Sequence, residues 1–377
     1  MKMPTHRRNL PVHRYMSRAA SPLVLPTSTQ EAGLVPKSSL MPSPLIVLGI
    51  ESSCDETAAA VLVDGRTRSN VVAGQEVHAQ WGGVVPELAS RAHQEHIVPV
   101  VDTALRQAGV ARQDLSAVAF TQGPGLIGAL LVGTCFARSL AQGLGIPLLG
   151  VDHMQAHVLA HFIRDGEDRP IPPFPFLNLT VSGGHTLLVL VSGPLEMKVI
   201  GTTVDDAAGE AFDKAAKVLG LPYPGGPLID RNAIGGDPRR FKLPMPQVPG
   251  TDFSFSGIKT AFNLLVQRGL RDDPAFIQKE HAHLCASLQQ SIVDVLLRKV
   301  QKAARSLGVR SIAMSGGVSA NSALRAQFAA LAEREGWGAY VPPPAYCTDN
   351  GAMVAMAGHY LLKAGRTVGL DAIPHTR

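Results

Sequence analysis

The 377-residue chain has little cysteine: Cys54, Cys135, Cys285 and Cys347 are scattered, with no C-x-x-C pair. That spacing argues against a disulfide framework or a zinc knuckle and for a reducing compartment. No stretch approaches the roughly 18–20 unbroken apolar residues of a membrane helix. No G-x-x-x-x-G-K-[ST] motif is present, which excludes a P-loop enzyme, and no G-x-S-x-G nucleophile elbow is apparent. Charged residues are scarce at 17% against 45% hydrophobic, a balance of α/β enzymes rather than disordered chains. The length predicts two domains with substantial cores.

The formal charge of +5 is local. Residues 1–44 hold Lys2, Arg7, Arg8, Arg14, Arg18 and Lys37 against Glu31 alone, so the rest of the chain keeps 29 basic and 29 acidic residues. A neutral body gives no electrostatic footprint for nucleic acid. The 1–44 extension is rich in Pro, Ser and Arg and lacks periodicity, and it reads as disordered. It has no apolar h-region of a secretory signal. Two readings remain open for it, a mitochondrial or plastid transit peptide and an over-long start ahead of Met41. The second implies a cytoplasmic protein.

What is present is a pattern that occurs twice. Residues 45–50 read as a buried strand, followed by the polar turn Glu51-Ser-Ser-Cys-Asp-Glu-Thr57 and a strand over 58–63 ending at Asp64-Gly65. Residues 176–181, the turn Ser182-Gly-Gly-His-Thr186 and residues 187–191 repeat that layout. Each hairpin is followed by a strand, a Gly-rich loop, a helix and a strand: 117–121, 126–143 and 147–151 in one half, 311–315, 321–335 and 338–341 in the other. Such duplication predicts an α/β, actin-like ATPase (ASKHA) fold: two ribonuclease-H-like lobes over 45–173 and 174–377, with a cleft between them. The second half carries an insertion over about 201–260. It is dense in Gly, Pro and Asp, and is expected to supply loops lining a site.

Within this frame, His153 and His157 in His-Met-Gln-Ala-His lie four residues apart, on one face of a helix and close enough to share a metal. Asp349 in Cys347-Thr-Asp-Asn is the best candidate for a third ligand. The interior Met154 and Gln155 lack the general-base glutamate of an H-E-x-x-H protease. Ser182-Gly-Gly-His185 is suited to cradle an anion, with glycines permitting close approach. Asp55 and Glu56 in the matching turn are placed to orient a metal, water or phosphate. Gly123-Pro-Gly-Leu-Ile-Gly128 fits a dinucleotide fingerprint with Asp152 following. Pro124 removes an amide from that loop, however, and the second unit lacks the pattern. His93, His96, His281 and His283 lack acidic partners nearby and read as surface or structural. Arg239–Lys242 and the series Arg298, Lys299, Lys302, Arg305 and Arg310 are local basic clusters, solvated faces or phosphate handles.

Taken in order, Gly49-Ile-Glu-Ser-Ser-Cys-Asp-Glu-Thr57, the His153/His157 pair, Val181-Ser-Gly-Gly-His-Thr186, Asp206-Ala-Ala-Gly-Glu-Ala-Phe-Asp-Lys214, Tyr223-Pro-Gly-Gly-Pro227, Phe253-Ser-Phe-Ser-Gly257, Gly316-Gly-Val-Ser-Ala-Asn321 and Cys347-Thr-Asp-Asn350 resemble the TsaD family of tRNA N6-adenosine threonylcarbamoyltransferases, long labelled sialoglycoproteases. The resemblance runs from about 46 to 365 and looks like the bacterial branch. It implies that His153, His157 and Asp349 hold an Fe(2+) or other divalent ion. It implies that Val181, Ser182, Gly183, Gly184, His185, Asp213, Gly226, Asp230 and Asn321 bind threonylcarbamoyl-AMP. The implied reaction is transfer of the threonylcarbamoyl group to the adenosine 3′ of the anticodon, in tRNAs reading codons that start with A, with release of AMP. Asp55 or Glu56 is the candidate base for the amine proton. The implied partners are tRNA, a TsaB-like paralogue and a TsaE-like ATPase, or a second copy in a homodimer, with no membrane. The competing readings are a non-catalytic actin-like ATPase scaffold and a metal-dependent protease.

Overall fold

A computed structural model describes residues 44–75, 78 and 81–376. The proposed extension, apart from residue 44, lies outside them. Two five-stranded sheets organise the chain. The first is built from β1 (Ile46–Glu51), β2 (Thr57–Val63), β3 (Arg66–Ala73), β4 (Ala117–Gly123) and β5 (Leu148–Asp152), in the order β3-β2-β1-β4-β5. The second uses β6 (Phe176–Val181), β7 (Thr186–Gly193), β8 (Glu196–Thr202), β9 (Ser311–Ser315) and β10 (Gly338–Tyr340), in the order β10-β9-β6-β7-β8. Read from the other edge, that is β8-β7-β6-β9-β10, the same sequence of neighbours. In each sheet the first three strands run antiparallel and the last two join in parallel. The expected duplication is therefore present strand for strand.

Burial explains why these segments are strands. β1 and β6 are buried along their whole length, as central strands covered on both faces must be. β3 and β8 lie at the edges and alternate exposed with half-buried residues. The parallel steps need crossovers. α2 (Ile127–Leu144) links β4 to β5, and α8 (Ser322–Glu335) links β9 to β10. The helix α1 (Pro86–Ala108) joins β3 to β4 and packs with α2 on the first sheet. By length and composition alone α2 could cross a membrane. Here Ala129, Leu130, Ala137 and Ala141 are buried against the protein, and Arg138 interrupts its apolar run.

Between β8 and β9 the second half carries α4 (Ala208–Val218), α5 (Gly225–Asn232), α6 (Ser256–Asp272) and α7 (Phe276–Leu307). Within the segment expected to be loops, 201–260, only α4, α5 and the start of α6 are helical, and the connections between them, 219–224 and 233–255, are irregular. Its Gly and Pro residues mark the helix junctions: Pro224 precedes α5, and a Cβ on Gly225 would run into Ala216 of α4. The final helix α9 (Gly351–Lys363) falls in the sequence of the second half but packs on β1, β2, β4 and β5. Its residues join a core with Val47, Leu149, Val158, Phe176 and Val189, so one apolar cluster ties both sheets together. Small residues make that approach possible. A Cβ on Gly351 would lie 2.5 Å from the backbone of Ala59 and Ala60. The apolar cluster spans the expected 173/174 boundary.

Candidate metal centre and cleft

The strand β5 ends at Asp152, and α3 (His153–Leu159) begins at the next residue. Asp152 caps this helix by accepting from the Gln155 amide at 2.9 Å. The cap fixes where the first turn starts, which places His153 and His157 on the same side. Both are buried, with ring centroids 4.7 Å apart. The chain returns at Asp349, just ahead of α9, whose own cap is Asn350 accepting from Met353 at 3.0 Å. Asp349 Oδ1 comes to 3.1 Å from His157 Nε2 and 3.5 Å from His153 Nε2. One potential ligand atom from each of the three residues lies within 4.8 Å of the others. The distant carboxylate selected from the sequence does meet the imidazole pair.

The donors fit a cation. His157 is fully buried, and neither ring nitrogen has a hydrogen-bond partner, although Nε2 sits beside the carboxylate. Such an orphan is costly unless something else binds it. His153 is flanked by two carboxylates, Glu51 at 3.0 Å from Nδ1 and Asp349 beyond Nε2. Burial works against a charged ring, yet Glu51 and Asp349 outweigh it and raise the pKa of His153 well above the ordinary value. Burial likewise opposes ionisation of Asp349, but the two histidines hold its carboxyl far below the usual range. The cluster therefore demands positive charge at the point the three side chains share. It could bind a metal, and two imidazoles with one carboxylate are a recurrent divalent-metal donor set.

The centre opens into a cleft of about 1650 Å³ lined from both lobes. One wall is the β1–β2 turn, with Asp55 and Glu56. The opposite wall is the β6–β7 turn, Ser182 to His185. In that turn Ser182 N donates to His185 O at 2.8 Å, and Ser182 Oγ accepts from His185 N at 3.1 Å. Side-chain atoms at Gly183 or Gly184 would meet nothing within 4 Å, so the side-chain direction at both is open, while Gly183 O accepts from Glu210 N at 3.1 Å. That suits an anion cradle. Val181, in contrast, is fully buried at the end of β6, and its side chain does not line the cleft. A strand-end residue pointing into the core offers a ligand only backbone.

Asp213, Gly226, Asp230 and Asn321 all line the cleft. Part of their polar capacity is already used. Asp213 Oδ1 accepts from Gly225 N and Gly226 N at 2.8 and 3.1 Å, holding the start of α5. Asp230 accepts from Ser322 N and Oγ at 3.0 and 2.7 Å. Asn321 caps α8 through Leu324 N and donates to Gln289. These contacts join α5 and α8 and shape the wall beside the second-lobe turn.

The acids of the first turn differ in setting. Burial first, then Asp349 and Asp55, push Glu56 up to about 10, so its carboxyl keeps its proton at neutral pH. Burial and the same carboxylates push the Cys54 thiol up as well, which leaves it a poor nucleophile. His185 is lowered to about 4, by burial first and then by the nearby His153 and His157, and it stays neutral.

Glu51 was missing from the sequence-derived candidates, yet it contacts His153 directly. His93, read as surface or structural, is structural: Nδ1 lies 2.7 Å from Thr57 Oγ1 and Nε2 3.0 Å from Cys54 O, bracketing the β1–β2 turn. The glycines of the G-x-G-x-x-G segment serve packing rather than a pyrophosphate. A Cβ on Gly123 would strike His375, one on Gly125 would lie 2.6 Å from Ser53 O, and one on Gly128 would strike Ser90. The basic clusters are partly engaged: Arg240 pairs with Glu280 at 3.0 Å and Arg305 with Glu335 at 2.7 Å.

Two lobes of identical strand order, closed on a cleft where turns from both sheets face each other, define an actin-like protein. Solved structures share this architecture. Full-length HypF in its phosphate- and nucleotide-bound form aligns with a TM-score of 0.55 at 11% identity, covering 86% of this chain and 47% of that one. The HypF of T. kodakarensis aligns at 0.53 and 15%, covering 85% and 48%. At such identities the likeness shows the fold alone.

Sequence comparison is more specific. The family model described as TsaD, tRNA N6-adenosine threonylcarbamoyltransferase, matches residues 66–356. A tRNA N6-adenosine threonylcarbamoyltransferase from Porphyromonas gingivalis is 53% identical over 338 residues, covering 89% of this chain and 99% of the relative. One from Christiangramia forsetii is 56% identical over 314 residues, covering 83% and 92%. The chain belongs to the TsaD family and is a transferase of that class. Membership displaces the scaffold and protease readings.

Proposed function

We infer that the protein transfers the threonylcarbamoyl group of threonylcarbamoyl-AMP to N6 of the adenosine 3′ of the anticodon, in tRNAs that read codons starting with A. The convergence of His153, His157 and Asp349 beside an open glycine turn carries this reading. The donor is a mixed anhydride, so AMP leaves readily and no covalent nucleophile is needed. The exocyclic nitrogen attacks the carbamoyl carbon, the bond from that carbon to the phosphate oxygen breaks, and the amine loses one proton. What remains for the protein is positioning and charge.

His153, His157 and Asp349 would hold a divalent ion. We assign Fe(2+), because a two-histidine, one-carboxylate set with open positions is a common ferrous site. When bound, the ion supplies positive charge that neutralises phosphate or polarises a carbonyl. Gly183 and Gly184 line the cleft, where their backbone would meet an adenylate phosphate. His185, being neutral, can donate or accept a hydrogen bond there without adding charge. Asp213, Gly226, Asp230 and Asn321 shape the wall for the nucleoside. Asp55 and Glu56 border the opposite wall. Glu56 holds its own proton while Asp349 is negative, so it acts as a base only where nearby positive charge lowers its pKa. We place the enzyme in the cytoplasm, with a TsaB-like paralogue and a TsaE-like ATPase or a second copy of itself as partners.

The test is reconstitution. Purified protein and candidate partners are incubated with tRNA, threonine, bicarbonate, ATP and an adenylate-forming enzyme. The tRNA is then digested and the modified nucleoside sought by mass spectrometry. Product that depends on this chain supports the assignment. No product under conditions where a relative from the same family succeeds would remove it.

A further inference from the structure

We propose that Glu51 is a positioning residue of the metal centre, its carboxylate fixing the ring of His153 so that Nε2 is the nitrogen left free for the cation. The inference rests on the metal-binding reading of His153, His157 and Asp349.

Glu51 ends β1 and is completely buried, a costly place for a carboxylate unless several donors converge on it. Three do. Ser53 N donates to Oε1 at 2.5 Å, while Oε2 receives Thr121 Oγ1 at 2.6 Å and lies 3.0 Å from His153 Nδ1. Those donors come from β1's own turn, from β4 and from the start of α3. The carboxylate therefore sits where the end of β1, the C-terminal part of β4 and the start of α3 meet. Glu51 is the nearer partner of Nδ1, with Ser53 Oγ farther off at 3.4 Å, and a carboxylate has no proton to give, so Nδ1 carries the hydrogen. The opposite nitrogen, 3.5 Å from Asp349 Oδ1, is then the only one able to offer a lone pair. Metal-bound histidines are commonly fixed in this way by an acceptor on their second nitrogen, which also raises their basicity.

Glutamine has nearly the same shape but cannot reproduce this arrangement. With its oxygen towards Ser53 N, its NH2 group faces His153 Nδ1. The ring must then turn its proton to Nε2, where it blocks the cation. With its oxygen towards His153, the NH2 group faces the Ser53 amide, donor against donor. Either choice penalises the productive tautomer.

The experiment uses full-length protein stripped with a chelator and titrated with Co(2+), followed by its visible absorption. Glu51→Gln is expected to bind Co(2+) roughly 10- to 100-fold more weakly than the native chain. The melting temperature of both metal-free proteins is measured alongside. A variant that melts lower yet binds Co(2+) within twofold of native would show a purely structural role and overturn the inference. If native protein takes up no Co(2+) at all, the metal reading itself fails, which is a different result. Should Glu51→Gln not fold, nitrogen-15 NMR of histidine-labelled native protein loaded with Zn(2+) decides instead. The His153 proton is expected on Nδ1, and a proton on Nε2 would refute the assignment.

Discussion

Replacing Gly351 with alanine tests whether packing on the first sheet sets the position of Asp349. The added Cβ would lie 2.5 Å from Ala59 C and Ala60 N, both main-chain atoms of β2, next to the central strand. Ordinary contact begins near 3.4 Å, so the start of α9 must retreat by about 1 Å. Overpacking of this kind costs about 1–3 kcal/mol. The displacement is the more informative effect, because Asp349 precedes the strained residue by only two positions. A shift of about 1 Å moves the carboxylate away from His153 and His157, and misplacement on that scale can cost on the order of 100-fold in rate. Urea unfolding would show the lost stability, and the tRNA assay the lost turnover. Gly143→Ala, in α2, is the control: nothing lies within 4 Å of its Cβ, and relieving a helical glycine should add about 0.5–1 kcal/mol with turnover unchanged. If Gly351→Ala matches native protein in both stability and rate, the close seating of α9 does not govern the site.

Other consequences are as direct. Asp349→Ala and His157→Ala should each lower Co(2+) uptake and nucleoside formation by roughly 100-fold or more while the chain stays folded by circular dichroism; either one retaining full binding would exclude that residue as a ligand. Thr57→Val leaves His93 Nδ1 without its partner and should cost about 1–3 kcal/mol in urea unfolding, with no loss expected if the two do not bond in solution. His161 is lowered to about 4 from 6.5 by burial, which outweighs its bond to Asn178. The folded state therefore refuses a proton that the unfolded chain accepts. Its stabilising contribution is complete above pH 6.5 and falls away as the pH drops towards 4, by about 1.4 kcal/mol per pH unit. In His161→Gln the difference in unfolding free energy between pH 7 and pH 4.5 should narrow by about 2–3 kcal/mol, and an unchanged difference would contradict a buried neutral ring.

The parts of this architecture that were legible in the sequence are those where chemistry and burial coincide. β1, β6 and β9 are mostly apolar, almost fully buried runs ended by polar turns, and their limits fall within a residue or two of expectation. The edge strands β3 and β8, Arg-Thr-Arg-Ser-Asn-Val-Val-Ala and Glu-Met-Lys-Val-Ile-Gly-Thr, are too polar to announce themselves; pairing with one neighbour suffices to make them strands. Helix α9 is buried all round and so shows no amphipathic period. The helices of the insertion were obscured by the Gly and Pro residues at their junctions. At the site, two histidines on one turn of helix and an unexplained acid were readable. Glu51 was not, because its role depends on the end of β1, the C-terminal part of β4 and the start of α3 meeting at one point, which only the strand order brings about. The burial of Val181 was hidden for a similar reason: whether a strand-end residue faces ligand or core depends on the register of β6 with β7.

The claim on which the account depends is that one ion joins the two halves of the chain at His153, His157 and Asp349. Anomalous X-ray scattering from crystals of the metal-loaded protein, recorded at the absorption edge of the added metal, tests it most directly. A single peak within bonding distance of all three side chains is predicted. A fully active preparation whose metal lies elsewhere, or that contains none, would contradict it.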